Sequence, residues 1–188
     1  MNLSGMLSTI NEQLFFLING FAGQSVFVDA FFIFVTKVFV PVMMLTVFIW
    51  FFIVLPKRVK DKKEKFLYYK YSILFLLTLS ILFVIIEAIK TFVAFPRPQE
   101  LLTGVRALSN FGSYDSFPSA HTAFAFTVAT FVFQSFRSFG IFFYLLALLV
   151  GVSRIVVGVH FPLDVIVGAV IGFVVAWSLK EVFKRYFI

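Results

Sequence analysis

The sequence predicts an all-α fold: a polytopic membrane helix bundle of five strong spans, plus an N-terminal segment that is either an interfacial helix or a sixth span. Three observations predict it. The 188 residues are 61% apolar and only 13% charged, whereas a water-soluble domain carries about 25% charged residues, so charge is too sparse to cover a solvated surface. Mean hydropathy is +1.03. The apolar residues also fall into separate runs, several approaching the roughly 20 residues that cross about 30 Å of hydrocarbon, which leaves no room for a soluble catalytic domain. With no cysteine in the chain, a disulfide framework, a thiol nucleophile and a cysteine metal site are excluded.

The opening Met1 to Gly20 has no charged stretch before its apolar part, and the first basic residue is Lys37, so it reads as a retained segment rather than a signal peptide. Between Ile10 and Val35, the apolar run Leu14 to Phe21 is short, Gly20 and Gly23 interrupt it, and Asp29 precedes Phe31 to Val35. That segment reads as an interfacial helix leading into the first span. Residues 1–36 are accordingly set apart from a core of residues 37–188. The strong spans are Val38 to Leu55, Tyr71 to Ile89, Ser119 to Phe136, Phe139 to Val157 and Leu163 to Leu179.

Orientation follows from Lys and Arg, which are retained on the cytoplasmic side. The connection with Lys57, Arg58, Lys60, Lys62, Lys63, Lys65 and Lys70 is the strongest such signal; Arg137, and Lys180, Lys184 and Arg185 after the last span, fall on the same side if every span crosses once. Lys60 is therefore expected in the cytoplasm and Ser113 opposite it. The net charge of +7 does not point to nucleic acid, because the basic residues sit between apolar runs rather than on one solvated face.

Lys37, Lys90, Arg97, Arg106 and Arg154 remain at the outer face. Three clusters there hold both histidines of the chain: Lys90 with Arg97-Pro98; Pro118-Ser119-Ala120-His121; and Ser153-Arg154 with His160 and Asp164. Taken singly, each residue has a plainer reading, with snorkelling cations, histidines at helix ends and an Arg154 to Asp164 pair. Those readings do not explain why they fall together. Three cations at one membrane face repel unless a multiply charged anion neutralises them, and phosphate suits Arg forks and a Lys point charge. A helix starting at the Pro118-Ser119 step, with Pro in its first turn, adds free N–H groups and the positive dipole end, and Ser119 adds a hydroxyl.

Pro162 likewise reads as the first turn of the last span, with Asp164 four residues beyond His160. A carboxylate at that separation fixes the imidazole tautomer and leaves the other nitrogen free to attack. His160 is the candidate nucleophile, and His121 the candidate general acid for the leaving oxygen. A zinc or iron site is the weaker alternative, since three cations make the field wrong for a divalent metal.

The clusters, in this order and spacing, resemble the signature of the type 2 phosphatidic acid phosphatase superfamily, which includes membrane lipid phosphatases, undecaprenyl diphosphate phosphatases, lipid A phosphatases and soluble vanadium haloperoxidases. The resemblance spans Lys90 to Asp164. It implies that Lys90, Arg97, Ser119 and Arg154 hold phosphate, that His160 becomes a phosphohistidine oriented by Asp164, and that His121 protonates the leaving group. It also implies a metal-independent helical core without a cofactor. One position departs: Ala120 stands where the family most often has glycine, which fits if that residue sits in the first helical turn and offers only its N–H.

The function expected is hydrolysis of a lipid phosphate or diphosphate at the non-cytoplasmic face of a bacterial inner (plasma) membrane. Undecaprenyl diphosphate, lipid A and phosphatidylglycerol phosphate are the candidate substrates, and no obligate protein partner is expected. Arg106 has two readings, an ion pair with Glu100 or Asp115, or contact with a second phosphate that would favour diphosphates. The rival from another class is a transporter or binding protein for an anionic lipid or solute, which would need a polar path toward the cytoplasm.

Overall fold

The computed structural model describes residues 3–108 and 115–187, so Ser113 lies outside the described residues. Helices and their connections account for what is described, in chain order α1 (Leu3–Asn19), α2 (Val26–Ile49), a π-helical turn (Trp50–Val54), α3 (Leu55–Arg58), α4 (Lys62–Val93), α5 (Pro98–Leu101), α6 (Ala120–Phe133), α7 (Arg137–Val156) and α8 (Pro162–Phe187). Among the described residues, four stretches are long and apolar enough to cross a membrane: Val26–Arg58, Lys62–Leu101, Arg137–Val156 and Pro162–Tyr186. The remaining expected span, Ser119 to Phe136, holds α6, which has 14 residues and reaches only about 21 Å. The chain is a multi-pass membrane helix bundle.

The segment Ile10 to Val35 is not one interfacial helix. A turn after Asn19 separates α1 from α2, and α2 runs unbroken across residue 36. Asp29, which had looked like an interruption, accepts the Gly23 N–H at 2.9 Å, and Ser25 caps the helix by accepting from the Phe27 N–H at 3.3 Å. Ser25 thus satisfies a helix-start donor and Asp29 one in the turn before it, so residues 26–35 belong to the first span. Lys37 consequently lies about three turns inside α2 rather than at its mouth.

α6 is the central element, packed chiefly on α7 and α8 and also on α2 and α4. It is apolar on every side, as a helix surrounded by others must be, and Ala123, Ala125, Val128, Ala129 and Phe131 are fully buried. α8 approaches it through glycine. A Cβ on Gly168 would lie 2.5 Å from the Ser119 carbonyl oxygen, and one on Gly172 would lie 2.2 Å from that of Ala123. Small residues four apart allow such backbone contact between membrane helices, and Thr127 Oγ1 adds a 3.0 Å bond to the Gly172 carbonyl.

Lys180 also departs from expectation. It lies within α8 and is 1% exposed, because α8 continues past Leu179. Its ammonium donates to the Phe131 carbonyl at 2.9 Å and to Ser135 Oγ, over the ring of Phe131. It therefore satisfies a carbonyl at the C-terminal end of α6, where a cation is favoured.

Candidate active site

The opposite end of α6 gathers the three sequence clusters. α4 places Lys90 in its last turn and stops where Ala94 takes left-handed backbone, φ 42°. The chain then brings in Arg97, 5% exposed, at the cap of α5. Asp115 bridges the two cations, 3.3 Å from Lys90 Nζ and, through its other oxygen, 2.7 and 3.1 Å from Arg97 Nη2 and Nε. Arg97 Nη1 also donates to the Val159 carbonyl at 3.3 Å. The carboxylate holds both cationic heads apart at one place, which offsets their repulsion before any anion arrives.

Asp115 is thus engaged with Lys90 and Arg97, and Glu100 accepts from the Arg97 backbone N–H at 3.4 Å. Arg106 has a use that neither of its sequence readings named. Its guanidinium donates to the carbonyls of Gly20 and Ala22 at 3.2 and 2.7 Å, clamping the turn between α1 and α2.

Arg154, in the last turn of α7, is 2% exposed, and its Nη1 donates to Thr36 Oγ1 of α2 at 2.8 Å. Ser119 is fully buried as the residue preceding α6, and its N–H donates to the Asp164 carbonyl at 3.0 Å. Its hydroxyl shares a 2.9 Å bond with Thr122 Oγ1. Pro118 stands one residue before this cap, not in the first turn, because the N–H that proline lacks is here outside the helix. Ala120 is the first residue of α6, the placement in which alanine suffices. The first-turn N–H groups of Ala120, His121 and Thr122 have no intrahelical acceptor. His121 is half-buried there, and the cations that act on its ring are Arg154, Lys90 and Arg97.

His160 follows a tight turn at Gly158, whose φ of +85° is strained for any side chain and where a Cβ would press on the Arg106 carbonyl at 2.9 Å. α8 then starts at Pro162, preset for a first helical turn. His160 Nδ1 stands 3.5 Å from Asp164 Oδ2, an ion-pair distance, with both residues 2% exposed. The same Asp164 oxygen accepts from Ser116 Oγ at 2.5 Å and from the Phe161 N–H at 2.8 Å. These bonds fix the carboxylate against the ring. His160 lies in the connection between α7 and α8; burial, partly opposed by the Asp164 carboxylate, lowers its pKa to about 4. The imidazole is neutral at pH 7 and retains a lone pair.

Four residues that sequence reasoning did not assign to the site, Asp115 having been considered only as a partner of Arg106, support the cluster. Asp115 and Ser116 precede the second motif but act on the first and third. Asn19, 2% exposed, donates to the carbonyls of Arg106 and Val156 and accepts from the Arg106 N–H. Asn11 accepts from the Leu163 N–H at 3.0 Å, satisfying a donor at the start of α8. Polar side chains within an otherwise apolar N-terminal stretch were the available signal. Phe15, fully buried, joins Asn11 and Asn19 in seating α1 behind the site, its ring centroid 5.5 Å from that of Phe161.

Residues 67–187 match the model of the PAP2 superfamily. The chain is similar in structure to LpxE of Aquifex aeolicus, with a TM-score of 0.75 and 32% identity over 92% of this chain and 95% of that one. It also has the fold of the PAP2 type phosphatidylglycerolphosphate phosphatase from Bacillus subtilis, with a TM-score of 0.72 and 19% identity, covering 96% and 88% of the two chains. In sequence, 76 residues are 40% identical to the bacitracin transport permease protein BcrC of Bacillus licheniformis. That match spans 40% of this chain and 37% of the relative's length.

Proposed function

The chain belongs to the PAP2 superfamily, and from that premise we propose that it hydrolyses a lipid phosphate or lipid diphosphate through a phosphohistidine. The observation that carries the reading is that Arg97, tied to Lys90 through Asp115, bonds to the Val159 carbonyl next to His160, whose ring faces Asp164, with Arg154 in the last turn of α7 and His121 in the first turn of α6.

In this reading the phosphate occupies the field of the three cations and the free N–H groups of the α6 start, with Ser119 beside it. Asp115 yields part of its hold on Lys90 and Arg97 to the arriving oxygens. Asp164 faces Nδ1 of His160, which leaves Nε2 to attack phosphorus. As the N–P bond forms, the bond to the leaving oxygen breaks and His121, protonated once the bound phosphate offsets the neighbouring cations, supplies its proton. Water then attacks the phosphohistidine, with His121 taking the proton, and phosphate and neutral His160 are restored. The long contact between Asp164 and His160 is of the kind that tightens in a substrate complex.

The substrate is a membrane lipid, reached sideways from the bilayer, and the reaction lies on the non-cytoplasmic face of the inner membrane. The orientation rests on the basic connection between α3 and α4 at the other end of the bundle. A transporter would need a polar path from the site to that end. Val128, Ala129, Val132 and Val150 fill this interior as one apolar core, which favours chemistry over passage.

The test is phosphate release by purified protein in detergent, with chelator present, from undecaprenyl diphosphate, lipid A, phosphatidylglycerol phosphate and phosphatidic acid. Chelator-resistant release from at least one lipid, lost in His160→Ala, is the expected result. A folded protein that releases phosphate from none of them, or only with added metal, contradicts the reading.

A further inference from the structure

A cavity lies at the far end of the bundle, one α6 length or about 21 Å from the catalytic cluster. It has a volume of about 520 Å³, within the range of small-molecule sites, and its lining includes Val47, Trp50, Phe51, Val132, Phe136 and Phe139. The π-helical turn that begins at Trp50 forms one side; such turns recur at functional sites. The opposite wall is fixed, because a Cβ on Gly140 would lie 2.1 Å from Phe133 Cα, so the start of α7 is pinned on the end of α6. Among the described residues its lining is apolar or aromatic apart from Thr46 and Ser138. Phe139 and Phe142 are 61% and 56% exposed, so it opens toward the surroundings of the bundle, which for a membrane helix are lipid chains.

Two arginines stand at its edges. Arg58 lies over the Trp50 ring at 5.8 Å and Arg137 over the Phe133 ring at 5.4 Å. Both are exposed, and among the described residues neither forms an ion pair. The nearby acids are engaged otherwise: Asp61 caps α4 by accepting from the Glu64 N–H at 3.1 Å, and Glu64 accepts from Tyr68 Oη at 3.4 Å. An apolar groove flanked by two uncompensated guanidinium groups matches a molecule with a hydrocarbon chain and an anionic head.

We infer that this groove binds an anionic membrane phospholipid, one acyl chain lying against Trp50 and Phe139 and the phosphodiester head between Arg58 and Arg137. The occupant is a lipid of the leaflet opposite the catalytic cluster. Its phosphodiester is not the phosphate group attacked by His160, so binding here is independent of turnover and of the proposed reaction.

Trp50 is a built-in reporter, since the chain has only one other tryptophan, Trp177. The experiment uses the full chain carrying Trp177→Phe, in phosphatidylcholine nanodiscs, with increasing mole fractions of chain-brominated phosphatidylglycerol or chain-brominated phosphatidylcholine. Brominated phosphatidylglycerol should quench Trp50 fluorescence at the lower mole fraction, each arginine contributing about fivefold. Arg58→Gln or Arg137→Gln should each narrow the gap by that factor and the double variant should close it, with thermal unfolding temperature unchanged. Equal quenching by the two lipids in the parent, meaning contact with bulk lipid only, overturns the inference. So does a Trp50 that neither lipid quenches, as when a second copy of the chain covers the groove.

Discussion

Ser116 donates a 2.5 Å hydrogen bond to the Asp164 oxygen that faces His160, so its hydroxyl limits the directions in which the carboxylate can point. A hydrogen bond to a charged group is worth about 1.5–3 kcal/mol. With the Phe161 N–H still in place, Ser116→Ala should lower kcat about tenfold at the low end of that range and leave KM little changed, as steady-state kinetics on the preferred lipid would measure. The titration of His160 makes a second prediction. Its folded pKa of about 4 lies below the ordinary value near 6.5, so between these limits the unfolded chain binds the proton and the folded one does not. Stability should therefore be flat above about pH 6.5, fall as pH drops toward 4 and level off below that. Thermal unfolding in detergent across this range, with His160→Gln as the variant whose slope is reduced, measures it. The candidate site residues were legible because their spacing is local: His160 and Asp164 are one helical turn apart, and Ser119 and His121 share a helix start. Asp115 and Ser116 were not, because each acts on residues the sequence places 18 to 48 positions away.

At the scale of the helices, Gly172 and Gly168 set the distance between α8 and α6 and hence the bond from the Ser119 N–H to the Asp164 carbonyl. Gly172→Ala places a methyl 2.2 Å from the Ala123 carbonyl oxygen, and backbone must move to admit it. Overpacking of this kind costs about 1–3 kcal/mol, which should appear as a lower unfolding temperature and as lost activity at temperatures where the fold survives. Lys180→Met should destabilise the other end of α6 by about 1–3 kcal/mol, because the Phe131 carbonyl loses a buried donor; the same unfolding measurement reads it, and catalysis below the transition should change little. The spans were legible from apolar length. Their ends were not: Asp29 looked like an interruption and lies in the first turn of α2, holding the turn before it, while Lys180 looked like a flanking charge and is buried, since the outcome depends on the partners each side chain meets.

For the whole molecule, membrane spanning was legible from composition, whereas the part played by the first 36 residues was not. Asn11, Phe15, Asn19 and Thr36 each touch residues beyond position 100, and an apolar stretch without a motif gives no sign of which neighbours it will meet. Arg106 belongs to the same tie. Its bonds to Gly20 and Ala22 lead us to propose that Arg106→Ala loosens α1 and affects mono- and diphosphate lipids equally; a selective loss of kcat/KM for a diphosphate would instead place Arg106 at a second phosphate. Orientation is tested by single cysteines in the cysteine-free chain. An impermeant reagent applied to intact cells should label Thr103→Cys, on the loop near the cluster, and spare Lys60→Cys; the reverse pattern would put the reaction in the cytoplasm.

The central claim is that phosphoryl transfer passes through His160. Rapid acid-free quenching of the purified protein with a lipid labelled in its phosphate measures this directly. The account predicts a protein-bound phosphoryl group that is acid-labile and alkali-stable, that forms within one turnover and that is absent from His160→Ala. An alkali-labile label, which would indicate an acyl phosphate on Asp164, or a label retained by His160→Ala, would contradict it.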